Sequence, residues 1–255
     1  MLHKKKIYCS ICNSSNLSKL FDLKKFPMTG IYIKKKLKKN FTYFFDQYLN
    51  ICKKCGHIQL GIFINPEFLY NNFYSTRSSE NHLSKNGIKF FKEFLFTTTK
   101  KKKFGNFVEI GCNDIELIKS LKNNFNHLYG IDPIWKSKTK IRDKKITVIG
   151  DFIEKINFKN KIKKKIEIFS STHNLEHLDD PYRVLKKIVD YSDKESLFFI
   201  EVPDADLMIK NLRFDQIFHQ HYHYFNYNSL NNLVTKLNCK IIKKKINPNF
   251  WGGSI

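Results

Sequence analysis

Phe107-Val-Glu-Ile-Gly-Cys-Asn-Asp114 reads as a short apolar strand that stops at a glycine turn and hands over to a helix at about 116–125. Four more segments downstream read as strands. His127-Leu-Tyr-Gly-Ile131 ends at Asp132-Pro133, and Ile146-Thr-Val-Ile-Gly150 ends at Asp151. Ile166-Glu-Ile-Phe-Ser170 precedes a helix at about 181–189, and Leu197-Phe-Phe-Ile-Glu-Val202 is stopped by Pro203. Short apolar runs bounded by turn residues suit strands buried on both faces. Their alternation with helical segments predicts an α/β core, a parallel sheet with helices on both sides. Such sheets bind ligands beyond the carboxyl ends of their strands.

The turns at those ends carry chemistry. In Glu109-Ile-Gly111-Cys-Asn113-Asp114 the glycine lets a ligand approach the backbone, and the following helix N-terminus favours a carboxylate. Asp132, after the second strand, suits the two hydroxyls of a ribose. Asp151 and Phe152, after the third, suit an adenine amine and its ring face. Ordinary α/β turns also use Gly and Asp, so the weight lies in three such turns in succession.

Upstream, Cys9-Ser-Ile-Cys12 and Cys52-Lys-Lys-Cys55 are two knuckles of the kind that closes a tetrahedral Cys₄ zinc site. Gly56 follows the second knuckle where a positive φ is often needed, and residues 13–51 must form an inserted loop or hairpin. Unrelated thiols or a disulfide pair are the alternatives. A closed Cys₄ shell has no open position, so this metal is expected to be structural. The expected organisation is a zinc-binding domain at 1–65, a helical connector on the substrate side at 66–103 and a core at 104–255. In the connector, Leu83, Ile88, Phe91, Phe94 and Leu95 recur at helical spacing.

The chain has 255 residues, 42% of them hydrophobic and 15% aromatic, enough for one α/β domain and a small appended one. No apolar run spans a bilayer and no signal-peptide core follows Met1, so a cytoplasmic, reducing location is expected. The net charge of +23 raises a nucleic-acid reading. The lysines, however, fall in short runs over the whole length, at 4–6, 34–36, 100–103, 163–165 and 243–245, as compositional drift would place them. Neither a membrane nor nucleic acid is the expected partner.

Phe214-Asp-Gln-Ile-Phe-His219-Gln-His221-Tyr-His223-Tyr-Phe225 packs three histidines into five residues. If extended, they share one face and point into one cavity. Imidazole suits proton transfer near neutral pH. A second metal site and plain packing are the other readings.

The order of parts resembles a Rossmann-like S-adenosylmethionine (SAM) methyltransferase core. Glu109-Ile-Gly111 is similar to its first motif, Asp132 to its ribose-binding acid, and Thr172-His-Asn-Leu-Glu-His177-Leu to its motif after the fourth strand. At Ile115, relatives usually carry Gly, and a β-branched side chain is expected to crowd that turn. With the Cys₄ segment and the His-x-His block, nearly the whole chain resembles the zinc-binding sugar C-methyltransferases, and Tyr74-Ser-Thr-Arg-Ser-Ser-Glu-Asn-His82 resembles their substrate-side segment.

The resemblance implies SAM and Zn²⁺ as cofactors and a nucleotide-linked keto-deoxy sugar as substrate. It implies His221 as the base that forms an enolate, His219 or Tyr74 as donor to the enolate oxygen, and His177 and His173 lining the cleft. Glu109, Gly111, Asn113, Asp132, Asp151 and Phe152 would hold SAM. Phe218 and Gln220 stand where relatives read Tyr and Glu. Relatives continue past Gly252-Gly-Ser-Ile255 into a further domain, so a truncated form or a fragment is expected. A methyltransferase for an O or N acceptor is the second reading, and a zinc-ribbon protein that binds nucleic acid is the third.

Overall fold

The computed structural model describes residues 2–29, 43–70, 77–80, 82–137, 141–162, 164–250 and 252–255. Short strands β1 (His3–Lys5), β2 (Leu17–Pro27), β3 (Phe44–Cys52), β4 (Ile58–Leu60) and β5 (Ile62–Ile64) come first. The strands β6 (Phe104–Ile110), β7 (Phe125–Ile131), β8 (Ile146–Ile149), β9 (Ile168–Thr172) and β10 (Leu197–Glu201) follow, then a two-residue β11 (His223–Tyr224). The helices are α1 (Pro66–Leu69), α2 (His82–Thr99), α3 (Glu116–Leu121), α4 (Phe158–Lys161), α5 (Pro181–Tyr191), α6 (Ala205–Lys210) and α7 (Tyr227–Lys236).

The chain forms two compact units. The parallel unit holds Arg77–Leu175, Arg183–Val202 and Ile242–Ile255. Its sheet runs β10-β9-β6-β7-β8, all parallel, as expected for the SAM methyltransferase fold. The chain winds outward from β6 to β8 and then returns to the other side of β6 with β9. That reversal is the topological switch point, where ligands bind beyond the strand ends. Phe107, Leu128 and Ile168 from the strands are fully buried with Leu95 of α2 and Ile118 and Leu121 of α3. Each such side chain stabilises by about 1.5–3 kcal/mol. Phe91 and Leu95, four apart, form the inward stripe of α2, while Leu83 is 39% exposed. β9 starts and ends two residues later than its apolar run suggested. Ile168 pairs with Phe107 on one side, and Thr172 pairs with Glu201 on the other.

The antiparallel unit holds Met1–Thr76, Glu176–Tyr182 and Pro203–Ile241. Its main sheet runs β11-β4-β3-β2, with β1 pairing β5 separately. Segments 176–182 and 203–241, read from sequence as part of a core beginning at 104, thus pack with the N-terminal segment. β11 supplies the direct link, pairing His223 with Gln59 and Tyr224 with Ile58. The residues between the knuckles contain the expected hairpin, β2 against β3. β2 is the edge strand, and its exposed Lys19, Asp22 and Lys24 guard that edge against further pairing. Tyr222 anchors the core here, stacked on Phe63 at 4.3 Å with its hydroxyl donating to the Ile64 carbonyl.

Candidate functional site

The two knuckles converge. Asn13 N donates to Cys9 O and Gly56 N to Cys52 O, each curling a tight turn around its thiols, and Gly56 has the expected positive φ of 72°. Cys9 Sγ lies 3.6 Å from Cys55 Sγ and Cys12 Sγ lies 3.5 Å from Cys52 Sγ, with all four within 4.8 Å of one another. A tetrahedron with Zn–S bonds of about 2.3 Å has edges of about 3.8 Å. The cradle therefore fits a zinc ion with little adjustment. All four cysteines are free of disulfides. Burial pushes the Cys12 thiol up, a cost that a divalent cation offsets by holding thiolates.

At the switch point the backbone is unusually contorted. Gly111, Asn113 and Ile115 after β6, and His173 after β9, all have positive φ. Non-glycine residues in that region cost energy and cluster at ligand sites. A Cβ at Gly111 would come 2.5 Å from the Asn174 side chain, so only glycine leaves this turn open. Asn113 N donates to Asp132 Oδ2 at 2.8 Å, and Ile134 N donates to Oδ1 at 2.9 Å. These two bonds fix the orientation of the Asp132 carboxylate at the end of β7. Trp135 Nε1 donates to Asn113 O at 2.5 Å and ties the two turns together. Asp151 Oδ1 accepts from Phe152 N at 2.9 Å. His173 N donates to Glu201 O, and its ring lies 4.6 Å from Phe250.

Glu109 closes the floor. It is buried, and its Oε1 lies 3.4 Å from Thr172 Oγ1. Among the described residues its Oε2 has no hydrogen-bond partner, nor do the hydroxyls of Ser170 and Ser171 beside it in the sheet. Burial pushes its carboxyl up to about 8. An orphaned buried carboxyl beside an open glycine turn fits a ligand with a cationic group, as SAM is. Ile115 does not crowd this turn. Its side chain is 3% exposed and belongs to the hydrophobic core behind it.

The three clustered histidines do not share a cavity. Residues 214–216 form a 3₁₀ turn, and His221 N donates to Phe218 O in a second turn, so the segment is not extended. Each ring therefore goes its own way. His219 is fully buried between Phe26 and Phe45, with Nε2 3.2 Å from Phe26 O and Nδ1 3.5 Å from Gln47 Nε2. Those are structural partners, and they take up the nitrogens that the enolate-donor role required. His223 pairs with His57, which the sequence reading missed: His57 Nε2 lies 3.1 Å from His223 Nδ1, and His223 Nε2 lies 2.9 Å from Leu178 O. Only the pairing of β11 with β4 brings these two together.

His221 meets His177 and Glu176. His177 Nδ1 lies 2.8 Å from Gln220 O, and His221 Nδ1 lies 3.0 Å from Gln216 O. A carbonyl only accepts, so in each ring it is Nδ1 that carries the hydrogen for these contacts. The rings lie 4.8 Å apart, and Glu176 Oε1 lies 3.8 Å from His177 Nε2. The three groups offer ligand-type atoms within 4.8 Å of one another. Phe218 packs on His221 at 3.9 Å between ring centres. Tyr74 lies outside the described residues.

A family model described as a methyltransferase domain matches residues 82–244, and one described as a putative zinc binding domain matches residues 9–70. The chain is 22% identical over 219 residues to the C-methyltransferase NovU of Streptomyces niveus, an alignment covering 80% of this chain and 49% of that protein. It thus spans about half the length of the curated relative it matches. The plantazolicin methyltransferase BpumL, solved with a triazolic desmethylPZN analog and SAH, superposes at TM-score 0.50 with 17% identity, covering 69% of this chain and 72% of that one. Magnesium protoporphyrin IX methyltransferase (ChlM) from Synechocystis PCC 6803 with bound SAH also gives 0.50, at 9% identity over 68% of this chain and 84% of that one. No helix among the described residues is long and apolar enough to cross a membrane. The methyltransferase-domain model covers more than half of the chain, including the whole parallel sheet, and the chain belongs to that family.

Proposed function

We propose that the protein is a SAM-dependent C-methyltransferase acting on a nucleotide-linked keto-deoxy sugar. The observation that carries this reading is the pair of oriented imidazoles beside Glu176. Transfer to an O or N acceptor needs no base able to reach a carbon acid, whereas this cluster holds two imidazoles in place through their Nδ1 atoms beside Glu176. The similarity to a C-methyltransferase supports the same acceptor class.

SAM supplies an electrophilic methyl group. Asp132 would hold the ribose hydroxyls, Asp151 and Phe152 the adenine, and the Gly111–Asn113 turn with Glu109 the methionine end. His173 would flank that end. His221 Nε2 accepts the proton from the carbon next to the sugar ketone. The C–H electron pair would become an enolate, the carbon nucleophile to which bound SAM would supply its methyl group, with the neutral thioether as leaving group. His177 stands beside His221 to share the proton, with Glu176 offsetting the charge. Gln220 Nε2 donates to Thr29 O, which steadies the loop between the two histidines. His219 acts as a packed support rather than as a donor, and Tyr74 remains the candidate donor to the enolate oxygen.

The test is incubation with a nucleotide-linked 4-keto-deoxy sugar in deuterated solvent. His221→Ala should lower both C–H exchange and methylation by about 10²–10⁴-fold, the usual contribution of a positioned base, and leave SAM affinity near wild type. If the wild type methylates only hydroxyls or amines, the carbon-acid reading fails. Wild-type exchange in His221→Ala would move the base to His177.

A further inference from the structure

The lysine runs look scattered along the chain, but the fold gathers several of them. In a parallel sheet every strand enters from the same end. The five loops that lead into β6–β10 therefore lie side by side along one edge of the parallel unit. Each carries exposed cations: the lysines at 100–103 before β6, Lys122 before β7, Arg142, Lys144 and Lys145 before β8, Lys164 and Lys165 before β9, and Lys194 before β10. Against these eleven stand four acids, Asp143, Glu167, Asp193 and Glu195. Three of those acids are taken by lysines of the same stripe, in the pairs Lys101–Glu167, Lys122–Asp143 and Lys165–Asp193.

The opposite end has the reverse balance. Among the described residues of this unit, the loops leaving the carboxyl ends of the same strands carry Asp114, Asp132, Asp151 and Glu154 against Lys136 and Lys155. Compositional drift alone would load both ends alike. The two sets of loops are instead polarised, with the excess positive charge on the edge away from the switch point.

We propose that this amino-end edge is a docking stripe for the phosphate backbone of duplex nucleic acid, read without regard to sequence. Five strands at about 4.8 Å spacing put the loops along a line of about 19 Å. Neighbouring lysines fall within one screening length of about 8–10 Å, so their fields add. A line of charge suits a linear polyanion better than the plane of a membrane. Among the described residues the stripe also has none of the exposed large apolar side chains that anchor in lipid; those of this unit are Leu83, Ile242 and Ile246. Exposed aromatic rings, the platform for stacking unpaired bases, are absent from these loops among the described residues as well. What is offered is charge on flexible stems, which binds phosphate and carries no base readout.

The experiment is fluorescence anisotropy of the full chain with a labelled DNA duplex of arbitrary sequence over a salt series. A stripe of about 19 Å faces about five phosphates of one strand, so the slope of log K against log salt should be about −4 to −5. The variant Lys100→Gln, Lys102→Gln, Lys144→Gln, Lys164→Gln, Lys194→Gln should lose about tenfold or more in affinity and show a shallower slope. A second variant removes the same charge from the other unit: Lys5→Gln, Lys24→Gln, Lys53→Gln, Lys210→Gln, Lys240→Gln. It should bind as the wild type does. Equal losses in both variants would overturn the proposal, because net charge and not the stripe would then govern; no loss in either would overturn it too, because the stripe lysines would then not hold the duplex. A wild-type slope shallower than about −1 would overturn it too, and that result depends on no variant folding. Binding to phosphatidylserine-containing vesicles without binding to the duplex would replace nucleic acid by a membrane surface.

Discussion

Replacing Ile115 with glycine sets two terms against each other. Ile115 caps α3 at φ 64° and ψ 23°, in the left-handed region. For an L-residue that conformation costs about 1–2 kcal/mol, and glycine relieves it. The same residue is 3% exposed within the core of Phe91, Leu117 and Ile118. Truncating a buried isoleucine costs about 2–5 kcal/mol in lost transfer energy and cavity, and glycine adds about 0.5–1 kcal/mol of backbone entropy. The net expectation is destabilisation by about 0.5–5 kcal/mol. Ile115→Val keeps the strain and most of the packing, so it should cost only about 0.5–1.5 kcal/mol. Urea unfolding followed by the fluorescence of Trp135, which lies in the same unit, measures both. SAM affinity, read by calorimetry, should not improve in Ile115→Gly, because the side chain turns into the core and does not cover the turn. A glycine variant at least as stable as the wild type would refute the reasoning, for it would mean that backbone strain outweighs burial here.

Freshly purified, reduced protein should carry one zinc per chain by elemental analysis, and Cys52→Ser should lose it along with the thermal stability of the antiparallel unit, since site energy is folding energy. Two metals per chain would instead place an ion among Glu176, His177 and His221. Glu109 gives a pH prediction. Its carboxyl is raised to about 8 when folded and returns to about 4.5 when unfolded, so the folded state binds the extra proton between those values. Stability of the ligand-free protein should therefore fall as pH rises from about 5 to 8, and Glu109→Gln should flatten that fall. An unchanged pH profile in the glutamine variant would show that the carboxyl is not protonated in the native state.

The sequence by itself determined the parallel sheet, the zinc cradle and the turns at the carboxyl ends of the strands. These are local matters. An apolar run long enough for one strand, a glycine where φ must be positive, and two thiols on one tight turn are each written within a few consecutive residues. Asp132 was legible because a strand end places it, and Cys9 with Cys12 because a knuckle does. Ile115 was legible as a departure, but only the packing showed that its side chain faces the core.

Tertiary structure alone decided the histidines. Period-two alternation put residues 219, 221 and 223 on one face, but turns at 214–216 and 218–221 send them to three different partners. Two of those partners, His57 and His177, are 166 and 44 positions away in the chain. No local pattern specifies a contact at that distance; it follows from the burial that closes the sheet and from which backbone carbonyl is left to accept each ring N–H. The lysine stripe has the same origin. Its runs are far apart in sequence and become neighbours because every strand of a parallel sheet begins at the same edge.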